Sequence, residues 1–81
     1  MMNTIPLLRI INSQGYGEAV LFELGQVADL LVLTYDEVVE EATEGRIYTK
    51  KFSTDKAQWR ITIRAVLEYV DKVKIFERNK K

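Results

Sequence analysis

The chain has 81 residues, 47% of them apolar and 30% charged, with twelve basic and twelve acidic side chains and neither cysteine nor histidine. Those absences exclude disulfides, zinc sites built on thiolate or imidazole, thiol nucleophiles and histidine general bases. A chain this short buries only about 60–65% of the surface its unfolded form exposes, so the expectation is one small domain, residues 1–81, with a thin core.

No apolar run approaches the roughly 20 residues of a membrane span. Met1-Met2-Asn3-Thr4 lacks the basic start of a secretory leader, and a cytoplasmic protein is expected. There is no glycine-rich phosphate cradle, and the carboxylates cluster on one helix instead of pairing across a pocket sequence. The expectation is therefore no enzymatic activity, no cofactor, no metal and no small-molecule substrate. The net charge of zero hides a separation. Residues 1–45 carry Arg9 against eight acidic side chains, a charge of minus seven, and residues 46–81 carry eleven basic against four acidic, plus seven.

In chain order, Thr4, Leu7, Leu8 and Ile11 have helical spacing and Gly15 is placed to end a helix, yet LLRII also suits a short buried strand before an NSQGYG turn. Residues 4–12 stay open between the two, with helix preferred. Their expected role is a lid over the thin core, with a dimerisation arm as the other reading. EAVLFEL follows, where Val20, Leu21 and Phe22 read as a buried strand with Phe22 and Leu24 turned inward.

Val27, Ala28, Leu30 and Leu31 fall on one side of a helix of about two turns. Thr34 with Glu37 three residues later is a capping box that opens a second helix, from Tyr35 to about Glu44. Val38, Val39 and Ala42 give it an apolar stripe, and Gly45 supplies a left-handed C-terminal cap. Its polar side is all acidic, with Asp36, Glu37, Glu40, Glu41 and Glu44 and no Lys or Arg.

From Arg46 to Ile61 the pattern is a hairpin. Ile47, Thr49 and Lys51 alternate with Tyr48, Lys50 and Phe52, Ser53-Thr54-Asp55-Lys56 turns, and Gln58-Trp59-Arg60-Ile61 returns. Trp59, Ile61 and Ile47 are the expected inward set, with Trp59 a core anchor. A closing helix over 62–76 presents Ile63, Val66, Leu67, Val70 and Val73 to the core. Ala65, Tyr69 and Phe76 form a second stripe that needs a partner, either the N-terminal segment or a second copy. Lys72, Lys74, Arg78, Lys80 and Lys81 make its end basic.

LGQVADLL, then VLTYDEVVEEATEGRI, then QWRI and ITIRAVLEYV resemble the excisionase-like and MerR-like winged-helix DNA-binding proteins in order and spacing. The matching positions are Val27, Ala28, Leu30, Leu31, Thr34, Val38, Gly45, Arg46, Ile47, Trp59, Arg60, Ile61, Leu67 and Tyr69. The resemblance implies a mainly α fold with a small β-hairpin wing, a winged helix-turn-helix. It would have an N-terminal extension at 1–17, the helix-turn-helix at 24–45, the wing at 46–61 and the closing helix at 62–76. It also implies a short strand before the first helix paired with the wing. Where the family usually carries glycine in the turn, this chain has Val32, which implies another turn shape or backbone strain.

Two functions are expected. In the first, the protein is a DNA-binding accessory or transcription-regulatory protein that holds double-stranded DNA mainly through its basic wing. Arg46, Lys50, Lys51, Lys56, Arg60 and Arg64 meet phosphates, and Thr34 and Tyr35 offer hydroxyls. In the second, DNA is abandoned, and Asp36, Glu37, Glu40, Glu41 and Glu44 face a basic partner or another copy. Self-association then runs head to tail or through Tyr69 and Phe76. The bland reading of the hairpin lysines is an edge protected by charge.

Overall fold

The computed structural model describes residues 4–73. They form four helices and a small three-stranded antiparallel sheet.

The N-terminal segment is helical: α1 spans Thr4–Ile11. Pro6 decides against a strand, because in the first turn of a helix its missing N–H is not required, whereas a ladder would lose a bond. Ile5 and Leu8 are buried and Ile11 packs beside them. Leu7 is 54% exposed, which corrects its placement on the inward face. The helix lies on α4 (Ile63–Val73) as the expected lid, tied by Arg9 to Asp71 at 2.7 Å. A wide turn at Asn12–Tyr16, with Gly15 at φ 96°, brings the chain back. At Gly17 a Cβ would meet the end of the Asn12 side chain, which would have to move aside. The Gly17 carbonyl then accepts the N–H of Arg64 at 3.0 Å, joining the lid to the start of α4.

Strand β1 is only Leu21–Phe22. It pairs antiparallel with β3 (Trp59–Thr62) in the register Leu21 to Thr62 and Phe22 to Ile61. The expected buried strand is corrected here, since Val20 and Leu21 are 38% and 42% exposed and Leu24 already belongs to α2. With strand order β1-β3-β2, β1 is an edge whose outer face meets solvent, and only Phe22 turns towards the core.

Helices α2 (Leu24–Leu31) and α3 (Tyr35–Thr43) pack together through Leu24, Val27, Ala28 and Leu31 on one and Val38 and Ala42 on the other. Both end in the same hydrogen-bond pattern. After α2 the Leu33 N–H reaches the Ala28 carbonyl at 2.9 Å and the Val32 N–H the Asp29 carbonyl at 3.4 Å. After α3 the Arg46 N–H reaches Glu41 at 2.9 Å and the Gly45 N–H reaches Ala42 at 3.3 Å. This paired closure needs one left-handed residue. Gly45 supplies it at φ 79°, and Val32 supplies it at φ 57°, ψ 46°. The turn keeps its shape and the β-branched side chain carries the strain.

The hairpin strands are shorter than the alternation implies: β2 is Lys50–Lys51, facing Arg60 and Trp59 of β3. Ile47 dives into the core, 2% exposed, directly after the cap of α3. The Thr49 hydroxyl bonds to the Ile47 carbonyl at 3.0 Å, a local bond that competes with the ladder. On the far side Asp55 caps a single 3₁₀ turn at Lys56–Gln58, accepting from the Ala57 N–H at 2.9 Å. Thr62, 1% exposed, ends β3 and starts α4, its hydroxyl accepting from the Ala65 N–H at 3.0 Å.

In α4, Ile63, Val66, Leu67 and Val70 are buried as expected. Ala65 and Tyr69 are buried too, at 4% and 5%, beside the Gly45–Tyr48 segment. Ala65 and Tyr69 of the second stripe are thus covered within the chain. Phe76, the rest of the expected 62–76 helix and Lys74, Arg78, Lys80 and Lys81 lie outside the described residues.

Candidate nucleic-acid interface

The hairpin cations divide into two sets once their neighbours are known. Lys51 stands opposite Trp59 in the sheet, and its Nζ lies 4.9 Å from the indole centroid. Lys56 comes from the 3₁₀ turn to 5.4 Å from the same ring. Two ammonium groups so near an indole gain from its negative face, while their stems cover it. That cover, with the Nε1–H donated to the Ser53 carbonyl at 2.9 Å, leaves Trp59 8% exposed, a core anchor and not a free stacking surface. Lys50 points to the other face, opposite Arg60, with its Nζ 5.8 Å from the Tyr48 ring. Among the described residues none of Lys50, Lys51 and Lys56 pairs with a carboxylate.

The three arginines are engaged. Arg46 donates from Nε to Glu41 at 2.8 Å and approaches Glu40 at 3.9 Å. The Glu41 bond, helped by the nearby charges of Glu41, Glu44 and Glu40, raises the guanidinium pKa further above its ordinary value. Arg60 braces the turn before it, donating to the Ala57 carbonyl at 2.7 Å and the Trp59 carbonyl at 2.8 Å, with Glu23 at 3.9 Å. Arg64, on the first turn of α4, lies 3.5 Å from Glu18.

At the start of α3 the Thr34 hydroxyl accepts from the Glu37 N–H at 3.1 Å, and the Glu37 carboxylate accepts from the Thr34 N–H at 2.8 Å. The expected Thr34 hydroxyl is therefore an element of the cap first. Tyr35, 47% exposed, borders a hollow of about 300 Å³ with Glu23, Leu24, Gly25, Lys56 and Ala57. The fold thus brings Tyr35 and Lys56 to one depression, far apart though they are in sequence. Along α3, Asp36, Glu37, Glu40 and Glu44 are exposed, while Glu41 is drawn down onto Arg46. Asp36 and Glu37 sit where the helix dipole favours a negative charge. Glu44 sits where it does not, and Arg46 offsets it there.

Two side chains absent from the sequence-based set stand out on the hairpin. Tyr48 is 62% exposed and Phe52 63% exposed. Their alternation with Lys50 was the available signal, but the inward or outward sense of a strand follows from what packs beneath it. Tyr48 also borders a cleft of about 160 Å³ against α4, with Arg46, Glu68, Tyr69 and Lys72 among its walls.

Among the described residues there is no group of three or more carboxylates placed to hold a metal ion, and no helix is long and apolar enough to cross a membrane. Comparison of the chain with known protein families, with curated proteins and with solved structures finds no match.

Proposed function

We propose that this chain is a small winged helix-turn-helix protein that binds double-stranded DNA through its hairpin, as an accessory or regulatory protein without catalytic activity. The observation that carries this reading is the trio Lys50, Lys51 and Lys56, gathered on one hairpin with no carboxylate partner among the described residues. Hairpin cations without a carboxylate partner suit a phosphate backbone or the negative potential of a narrow minor groove. The helix pair α2 and α3, joined by a short turn and followed by the hairpin, supports the winged arrangement. Helix α3 takes no deep position in the major groove, because each carboxylate within a few ångströms of a phosphate costs on the order of 1 kcal/mol even in water-like surroundings. Arg46, Arg60 and Arg64 add to the field but must leave carboxylates to touch phosphate directly.

The test is fluorescence anisotropy with a labelled duplex of random sequence across salt concentrations. Three phosphate contacts give a slope of log affinity against log salt of about −2.7, an affinity loss of about 40-fold over a fourfold rise in salt. Lys50→Glu with Lys51→Glu abolishes binding and keeps a cooperative melt, lowered modestly by the loss of the Lys51 contact over Trp59. Binding that survives the charge reversal refutes a hairpin-led mode.

A second reading rests on α3, whose outward face carries Asp36, Glu37, Glu40 and Glu44 and no cation of its own. In it the domain is an interaction module that offers this face to a basic partner or to the hairpin of another copy. Absence of DNA binding at low salt, together with salt-sensitive self-association in sedimentation, selects it.

A further inference from the structure

Beyond the lysines, the hairpin exposes two aromatic rings that the duplex-binding reading does not use. Tyr48 is 62% exposed and Phe52 63% exposed, and neither belongs to the core cluster. A single exposed aromatic needs no explanation. Here the two flank the short strand β2, each two residues from Lys50, the spacing that an extended chain sends to one side. The Lys50 ammonium at 5.8 Å from the Tyr48 ring agrees with that placement, and Arg60 stands across from Lys50. By that spacing the Lys50 face of the hairpin is ring, cation, ring, while Lys51 and Lys56 lie over Trp59 on the other face.

We propose that this face is a stacking platform for single-stranded DNA, with bases on Tyr48 and Phe52 and the backbone phosphate between them on Lys50. The proposal rests on the reading that the hairpin lysines meet DNA phosphates, and it adds which form of DNA the site prefers. In a duplex the faces of the bases are covered by their neighbours, so exposed rings gain nothing unless a step is opened. In a single strand those faces are free, and rings beside a basic track take them without regard to sequence. The acidic α3 points the same way. A duplex engaged by this domain brings its second strand and grooves near that helix, whereas one strand lying along the hairpin leaves its carboxylates in solvent.

The experiment uses the full chain and anisotropy with a labelled oligothymidine of about 20 nucleotides and a duplex of equal length. The single strand binds about tenfold or more tightly than the duplex. Phe52→Ala and Tyr48→Ala each weaken it about 5- to 150-fold, with the salt slope unchanged because no phosphate contact is lost. Phe52→Leu, apolar but without a ring, falls as Phe52→Ala does, and Phe52→Trp binds as the unaltered chain does. Both side chains are exposed, so the melts of all four variants coincide with that of the parent.

Equal or tighter duplex binding overturns the proposal, as does undiminished single-strand binding by Phe52→Ala and Tyr48→Ala. In either case loss of duplex binding on Lys50→Glu with Lys51→Glu shows that the hairpin-led reading stands while the stacking falls. No binding of either DNA at low salt overturns both.

Discussion

Replacing Val32 by glycine should stabilise this protein, although most substitutions of an apolar residue by glycine do the opposite. Val32 closes α2 at φ 57°, ψ 46°, and its side chain is 75% exposed. A non-glycine residue in that region costs about 1–2 kcal/mol, and β-branching puts valine at the upper end. Against this, glycine costs about 0.5–1 kcal/mol through the freedom it gives the unfolded chain. The quarter of the side chain that is covered contributes about 0.4 kcal/mol at most. The balance is a gain of about 1 kcal/mol, which in a domain of this size raises the melting temperature by about 4–8 °C. The molecule contains its own control. Gly45 closes α3 with the same bonds, and a Cβ there meets nothing within 4 Å, so Gly45→Val introduces strain without a clash at its Cβ. Circular-dichroism melts of Val32→Gly and Gly45→Val should therefore move in opposite directions. A Val32→Gly melt at or below that of the parent refutes the strain argument.

The other predictions concern the hairpin and its acidic neighbour. Trp59→Ala removes the anchor under Lys51 and Lys56 and orphans the Ser53 carbonyl bond, at a cost of about 3–5 kcal/mol. In so thin a core that abolishes the cooperative thermal transition, and an intact melt contradicts the anchor role. Glu40→Gln with Glu41→Gln releases Arg46 from both of its carboxylates and lightens the charge of α3. Duplex affinity should rise and the salt slope steepen by about 0.9 as one more cation becomes free. A slope that does not change means Arg46 lies away from the DNA path.

Much of the helical part was legible because its determinants are local. Thr34 and Glu37 cap α3 across three residues, and the Gly45 closure uses atoms no more than five residues apart. The inward set Trp59, Ile61 and Ile47 was legible for a related reason, since large apolar side chains in a short chain have one core to enter. Residues 4–12 were ambiguous because LLRII satisfies both periods; Pro6 weighs against a strand, and the surface of α4 beneath Ile5 and Leu8 fixes the helix. The candidate site was read as six equivalent cations. The fold divides them, because Glu18, Glu23, Glu40 and Glu41 approach three of the six, while among the described residues no carboxylate approaches the others.

By itself, then, the sequence determined the helix caps, the order of the helices, the burial of the helical stripes and of Ile47, Trp59 and Ile61, and the charge separation between the two halves. Each depends on residue type and on neighbours a few positions away. Only the tertiary structure decided that α1 is the lid, that Tyr69 is buried and that β1 is an exposed edge. It alone decided that, among the described residues, Lys50, Lys51 and Lys56 meet aromatic rings and no carboxylate while Arg46, Arg60 and Arg64 are paired with carboxylates. Ion pairing and burial are set by distance in space, and partners such as Arg9 and Asp71, 62 positions apart, meet only after the chain has folded.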